Sequence, residues 1–136
     1  MGDAVGRGEA SRPVRAVLVS LVLVLVGCGA SRVPASLRGY DILVEPKDEQ
    51  SVELARAMKG SGYRVREKVR GGSRPTAALI HFTFSDPAPG QPTWLHLRLA
   101  DTRSGVIVGV ATVQLDSATQ TPRARARAAV QAISAP

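Results

Sequence analysis

The chain has 136 residues, of which 44% are hydrophobic and 21% are charged, and 18 basic against 11 acidic residues give a net charge of +7. This length supports one domain with a single core and excludes a large multidomain protein. The one cysteine, Cys28, excludes an intrachain disulfide. The positive charge favours contact with anionic lipid, envelope polymers or nucleic acid, although it can also serve solubility alone.

The amino-terminal segment is typical of an export signal. Residues 1–15 are polar and carry three arginines and two acids, whereas residues 16–26, AVLVSLVLVLV, carry no charge. A charged region followed by a short apolar region is the pattern of a secretory signal. A membrane-spanning helix needs about 20 apolar residues, so this segment is interpreted as a targeting device and not as an anchor.

The apolar run ends in Leu25-Val26-Gly27-Cys28, which resembles the lipobox of bacterial lipoproteins. The resemblance implies that residues 1–27 are a signal peptide cleaved before Cys28. It also implies a diacylglycerol-modified cysteine and a fatty acid such as palmitate on the new amino terminus. Two other interpretations are an ordinary secretory signal with an incidental Cys28 and a cytosolic protein with an apolar first helix. Lipidation also explains a lone cysteine in an exported chain.

Cleavage would leave 136 minus 27, or 109, residues held on a membrane in the cell envelope. Export argues against a nucleic-acid partner. Gly29 follows the cysteine where an aspartate would act as a retention signal in better-studied lipoproteins. The resemblance therefore favours the periplasmic face of the outer membrane, if the cell has one.

The first predicted elements after the signal are a tether, a strand and a helix. Residues 28–39 show little periodicity and are interpreted as a flexible tether, which leaves residues 40–136 as the domain. Residues 41–45, DILVE, predict a buried strand closed by Pro46. Asp48 is a candidate N-cap with Ser51 three places on, and Val52, Ala55 and Met58 recur at helical spacing up to Gly60.

Residues 63–70, YRVREKVR, alternate strictly and predict a strand with a row of cations on its outer side. Four basic residues at every second position cannot all be buried, because an unpaired buried charge costs several kcal/mol. The row is therefore a candidate contact for an anionic surface, or a charged edge that prevents aggregation. Its members are Arg64, Arg66, Lys68 and Arg70.

Residues 76–85, TAALIHFTFS, predict a third strand, with Ile80, Phe82 and Phe84 on one side and Leu79, His81 and Thr83 on the other. The first set is the more apolar, so Phe82 is predicted to lie in the core.

Residues 93–116 predict a hairpin that turns at Asp101-Thr102-Arg103-Ser104-Gly105, with glycine available for a positive φ. If Ala100 lies opposite Val106, then one face pairs Leu99 with Ile107, Leu97 with Gly109 and Leu95 with Ala111. This face is the predicted core.

Thr121-Pro122 predicts the start of a last helix, with Arg123 and Arg127 one turn apart. The element order β-α-β-β-β-α predicts an α+β fold: a small, mostly antiparallel sheet of about five strands with two helices on one face. The uncovered face is a candidate partner surface. Its predicted members are Trp94, His96, Arg98, His81, Thr83, Val106, Val108 and Val110.

The mature chain is weakly similar to envelope domains of the curli-secretion lipoprotein type, the penicillin-binding-protein activators and the TolB amino-terminal domain. The similarity lies in the strand-helix-strand start and in a hairpin whose turn runs from an aspartate to a glycine, here Asp101 to Gly105. It implies an accessory protein of the envelope, although fold alone does not fix function.

The sequence predicts binding and not catalysis. It contains no GxSxG, HExxH, CxxC or P-loop pattern, and His81 with His96 would lack a third metal ligand. We expect no cofactor and no metal. The two remaining functions are docking of another envelope protein, whose identity the sequence does not give, and binding of anionic lipid or cell-wall glycan through the basic row.

Overall fold

The computed structural model describes residue 2 and residues 33–69, 71–85 and 88–136. Every element described belongs to one compact unit within residues 31–136. The strands are β1 (Asp41–Leu43), β2 (Val65–Arg66), β3 (Thr76–Ser85), β4 (Thr93–Asp101) and β5 (Ile107–Leu115). The helices are α1 (Glu49–Gly60) and α2 (Pro122–Gln131), and short 3-10 turns lie at Ala35–Leu37 and Ser117–Thr119.

The five strands form one sheet in the order β2-β1-β3-β4-β5. Strand β1 is parallel to both of its neighbours, while β3, β4 and β5 form the two long antiparallel ladders. This confirms the predicted α+β class, the five strands and the mostly antiparallel sheet. Leu54 and Met58 of α1 and Ala126 of α2 share one buried cluster with the β4 leucines, so both helices pack on the same face.

Both helices begin where the sequence predicts. The Asp48 carboxylate accepts a hydrogen bond from Ser51 N at 2.7 Å, and Ser51 Oγ accepts one from Asp48 N at 3.0 Å, which completes a capping box. Thr121 caps α2 by accepting from Ala124 N, with Pro122 at the first helical position. These local bonds satisfy backbone donors that the first helical turn leaves without partners. Of the residues that recur at helical spacing, Met58 is buried but Val52 is 41% exposed, because the buried face of α1 runs through Leu54 and Met58.

The β4–β5 hairpin confirms the predicted turn but not the predicted register. Asp101 Oδ1 accepts from Arg103 N at 2.8 Å and Ser104 N at 3.1 Å, and Gly105 adopts a φ of 71°. Ala100 lies opposite Ile107, one residue from the predicted partner, and a bulge between Leu99 and Ala100 adds a second residue, so that Leu99 lies opposite Gly109. Because two residues is the period of a strand, Leu95, Leu97 and Leu99 still face the core.

Strand β2 is much shorter than the strand predicted over residues 63–70. It pairs only with β1, through Ile42↔Val65 and Leu43↔Arg66. One further backbone hydrogen bond joins Val44 N to Arg66 O at 2.9 Å. The chain that follows β1 then reaches Pro46. A strand needs a partner for its backbone groups, so the length of β1 limits the length of β2.

The packed domain begins before residue 40, which corrects the predicted boundary of the tether. Val33 and Leu37 are buried at 4% and 1% exposure within the hydrophobic core. Leu37 packs where Gly109 has no side chain, since a Cβ at that position would lie 3.0 Å from Leu37 Cδ1. Residues 33–39 are therefore part of the domain.

Candidate functional site

The candidate site is the sheet face opposite the helices, where β3 and β4 place large side chains next to one another. Their register sets Ile80 opposite Arg98, Phe82 opposite His96 and Phe84 opposite Trp94. Directly opposite residues on neighbouring strands share a face of the sheet. We call this surface the open face; its members are Ile80, Phe82, Phe84, Trp94, His96 and Arg98.

Phe82 lies at the centre of the open face, next to the His96 ring and the Arg98 guanidinium. The His96 ring stacks on it at a centroid distance of 5.1 Å and an interplanar angle of 14°. The Arg98 guanidinium carbon lies 5.5 Å from the Phe82 centroid, within range of a cation–π contact. Thr112 Oγ1 lies 3.2 Å from His96 Nδ1 and further restricts the imidazole.

The apolar side chains of the open face are partly exposed to solvent. Ile80 is 49% exposed, Phe82 39% and Phe84 54%. Full burial of such a side chain is worth roughly 1.5–3 kcal/mol, so about half exposure forgoes a part of that for each. A cluster of this kind, with aromatic rings and an arginine, has the composition of the centre of a protein–protein interface.

The structure corrects the predicted membership of this face. Trp94, His96 and Arg98 lie on it together, but His81 and Thr83 belong to the opposite side of β3. His81 turns towards the start of α1, where its Nε2 lies 3.7 Å from Asp48 Oδ1. The two histidines are therefore on opposite faces of the sheet and do not form a pair.

The valines predicted on the open face separate in a similar way. Val110 lies opposite Arg98, whereas Val106 is 59% exposed in the hairpin turn and Val108 packs against the core. The bulge in the hairpin accounts for this difference. Sequence reasoning missed Phe82 and its neighbours on β3, which contribute most of the apolar surface.

Two members of the predicted basic row meet a buried acid. Asp41 is 4% exposed and forms an ion pair with each of two arginines. Its Oδ2 lies 2.7 Å from Arg66 Nε, and its Oδ1 lies 3.4 Å from Arg64 Nε. Arg64, Arg66 and Lys68 are exposed, as expected for the row, while Arg70 lies outside the described residues. Part of the charge of the row therefore stabilises Asp41.

A second basic surface lies between the two helices. A cavity of about 300 Å³ has among its lining residues Glu53, Arg56 and Gly60 of α1 and Arg123 and Arg127 of α2. Arg56 pairs with Glu53. Among the described residues, no carboxylate forms an ion pair with Arg123 or Arg127. The spacing of these two arginines was visible in the sequence, but the cavity depends on how α1 packs against α2.

The predicted lipid attachment at Cys28, with Leu25, Val26 and Gly27 before it, lies outside the described residues. Within the part of the chain that is described, no helix is long and apolar enough to cross a membrane. In the same part, no three His, Cys, Asp or Glu residues are grouped so that they could hold a metal ion.

Comparison of the chain with protein-family models, with curated proteins and with solved structures finds no match.

Proposed function

We propose that this protein is a lipid-anchored lipoprotein of the cell envelope whose domain binds another envelope protein through the open face, without catalysing a reaction. Two features support the proposal. The lipobox-like Leu25-Val26-Gly27-Cys28 supports the anchor. The ring of Phe82, stacked by His96 and approached by Arg98 while still 39% exposed, supports the binding surface.

The arrangement around Phe82 suits a docking surface because its side chains already contact one another. Binding costs about 0.5–1.5 kcal/mol for each flexible side chain that becomes immobilised. His96 and Arg98 restrict one another through Phe82, so less of that cost would remain. Aromatic and arginine side chains also provide many of the residues that dominate binding energy.

The proposed anchor would place this surface near its partner. Two or more acyl chains hold a protein stably on a bilayer, whereas one chain binds marginally. Confinement to a membrane raises the effective concentration of two tethered partners, so a modest open face can suffice for binding.

The anchor is tested by Cys28→Ala in the producing cell. We expect the variant to lose incorporation of labelled palmitate and to run as the longer, uncleaved precursor, because the modified cysteine is what the lipoprotein peptidase recognises in the family that the lipobox resembles. Ser31→Ala is the matched control and should retain both labelling and cleavage. Unchanged labelling of Cys28→Ala would contradict the anchor.

The binding surface is tested by placing a photo-crosslinking amino acid at Phe84 in cells. Phe84 is 54% exposed on the open face, and Val52 on α1 is a matched control, since it is apolar and 41% exposed. We expect a discrete adduct with a different protein from position 84 and not from position 52. The same adducts from both positions, or none from position 84, would remove the open face as the docking surface.

A second candidate function, contact with anionic lipid or cell-wall glycan, is supported by the cavity between the helices. Arg123 and Arg127 line it without an ion-pair partner among the described residues, whereas Arg64 and Arg66 are shared with Asp41. Arg125, between them, is already bonded to Thr119 O and Gln120 O. The helical face is thus a stronger candidate for anions than the basic row.

This second candidate is tested with vesicles containing anionic phospholipid and with isolated cell-wall material. Arg123→Gln with Arg127→Gln should weaken vesicle binding roughly 30-fold, at about 1 kcal/mol for each basic side chain. Arg74→Gln with Arg103→Gln removes the same charge elsewhere and should weaken binding less. Equal weakening of vesicle binding by both pairs of substitutions would mean that net charge alone is responsible. Lys68→Gln tests in the same assay whether the basic row contributes to vesicle binding.

A further inference from the structure

Strand β3 is longer than the strand beside it. It has ten residues, Thr76–Ser85, but β1 pairs with it only from Asp41↔Thr76 to Leu43↔Ala78. The side of β3 that faces β1 therefore continues past the end of β1. We call residues 79–85 on that side the unpaired edge.

The direction of the backbone groups along this edge follows from two hydrogen bonds. Pro75 O accepts from Asp41 N at 3.0 Å on the β1 side, whereas Thr76 O accepts from Thr102 N at 2.9 Å on the β4 side. Backbone groups alternate between the two sides of a strand. The N–H and C=O of His81, Thr83 and Ser85 therefore point out of the unpaired edge, and no described backbone group bonds to them.

The two ends of the sheet are protected, in contrast to this edge. The outer strand β2 carries the charged side chain of Arg66, and Arg64 directly precedes the strand. The outer side of β5 is met at Val110 by two backbone bonds with Ser134, each of 3.0 Å. The unpaired edge has the sequence LIHFTFS, without a charged residue, glycine or proline. Exposed edges normally carry such residues to prevent pairing.

We propose that the unpaired edge pairs, antiparallel, with the same edge of a second copy of this chain, about a two-fold axis at Thr83. In this register Thr83 lies opposite Thr83, and His81 lies opposite Ser85 of the other copy. Antiparallel pairing of one segment with itself satisfies two-fold symmetry, in which the same patch serves both subunits.

Two features of the segment favour this register. Phe82 of each copy lies opposite Phe84 of the other at a position between hydrogen-bonded pairs, where side chains approach most closely and aromatic pairs are favourable. No charged side chain opposes another along the segment, so pairing brings no like charges together. Ser85 of the second copy would lie opposite His81, three residues beyond the last β1–β3 pair. Val44 and Lys47 line a cavity with His81, so the chain after Ser85 would turn away from them.

The dimer goes beyond the proposed function and does not depend on the lipid anchor. It would join two five-stranded sheets into one ten-stranded sheet. Because the axis is perpendicular to the sheet, the open faces of both copies would lie on the same side. One copy would then extend the binding surface of the other without covering it.

The first test is disulfide crosslinking of the purified full-length chain. Residues directly opposite at a hydrogen-bonded position have Cα atoms about 5.5 Å apart, within the range that a disulfide spans. Thr83→Cys should therefore give a reducible dimer. Thr112 is an exposed threonine on β5, so Thr112→Cys is the matched control and should not give a reducible dimer. The parent chain is the control for disulfides formed by Cys28. Equal crosslinking at Thr112 would overturn the proposal.

The second test is analytical ultracentrifugation of edge variants. Thr83→Pro removes an outward N–H, and proline is tolerated on an edge where that group faces solvent. Thr83→Lys places two like charges across the axis and carries the test if the proline variant does not fold. We expect each to weaken dimerisation at least about tenfold with an unchanged circular dichroism spectrum. The proposal would be overturned if the parent chain were monomeric or if the variants remained dimeric. It would also be overturned if the parent were monomeric and Thr83→Pro lost a bound protein of a different kind, because the unpaired edge would then bind that protein and not a second copy.

Discussion

At the level of the single residue, Phe82 shows where hydrophobicity along one strand is misleading. Ile80, Phe82 and Phe84 are more apolar than Leu79, His81 and Thr83, so the sequence predicts the first set in the core. The structure places Phe82 on the open face, because β3 pairs with β4 and Leu97 lies opposite His81. Leu95, Leu97 and Leu99 determine which side is buried, and a pattern within β3 alone contains no information on that pairing.

The exposure of Phe82 predicts a small effect on stability. Phe82→Ala should lower the free energy of unfolding by about 1 kcal/mol, as for a side chain that is only partly buried. Leu97→Ala, at 1% exposure, should cost about 2–5 kcal/mol through lost burial and a cavity. Urea unfolding of the two variants makes the comparison. Equal costs would mean that Phe82 is packed like a core residue.

At the level of the element, the sequence predicts what is determined within a few residues. The capping box of Asp48 and Ser51, the Thr121-Pro122 start of α2 and the turn from Asp101 to Gly105 are all confirmed, since each depends on contacts inside one turn. The register of the hairpin and the length of β2 depend on a bulge and on β1, which are not local. Alternation still placed Trp94, His96 and Arg98 together, because an even register shift preserves the face.

The hairpin turn predicts a dependence of stability on pH. The N–H groups of Arg103 and Ser104 and the Tyr40 hydroxyl donate to Asp101, and they lower the pKa of its carboxyl below the usual value. A lowered pKa means that the stabilisation is complete above the unfolded pKa of about 3.9 and is lost as pH falls through the folded pKa. Acid should therefore weaken the turn.

Asp101→Asn tests this dependence, because asparagine retains an acceptor oxygen but not the charge. The variant should unfold at lower urea than the parent at pH 6, and the difference should narrow towards pH 3. Glu67→Gln, at an exposed acid, is the control and should follow the parent across the same range. A difference for Asp101→Asn that stays constant with pH would show that the charge does not contribute.

At the level of the whole molecule, the sequence predicted the fold class but placed the start of the domain too late. Residues 28–39 show little periodicity, which is typical of a tether. Leu37 nevertheless packs against Gly109, more than seventy positions away, where a missing side chain leaves space for it. Such complementarity between distant segments becomes visible only when the chain is folded. The anchor at Cys28, in contrast, stays a prediction from the sequence.

The corrected boundary predicts different stabilities for two fragments. Residues 33–136 should fold cooperatively, whereas residues 40–136 lack Val33 and Leu37 and should lose about 3–6 kcal/mol, at roughly 1.5–3 kcal/mol for each fully buried side chain. Urea unfolding followed by Trp94 fluorescence measures both. Within residues 33–136, Leu37→Ala should account for much of the loss, while Ser36→Ala, at an exposed position, should not. Equal midpoints for the two fragments would show that residues 33–39 do not stabilise the domain, and residue 40 would then be restored as its start.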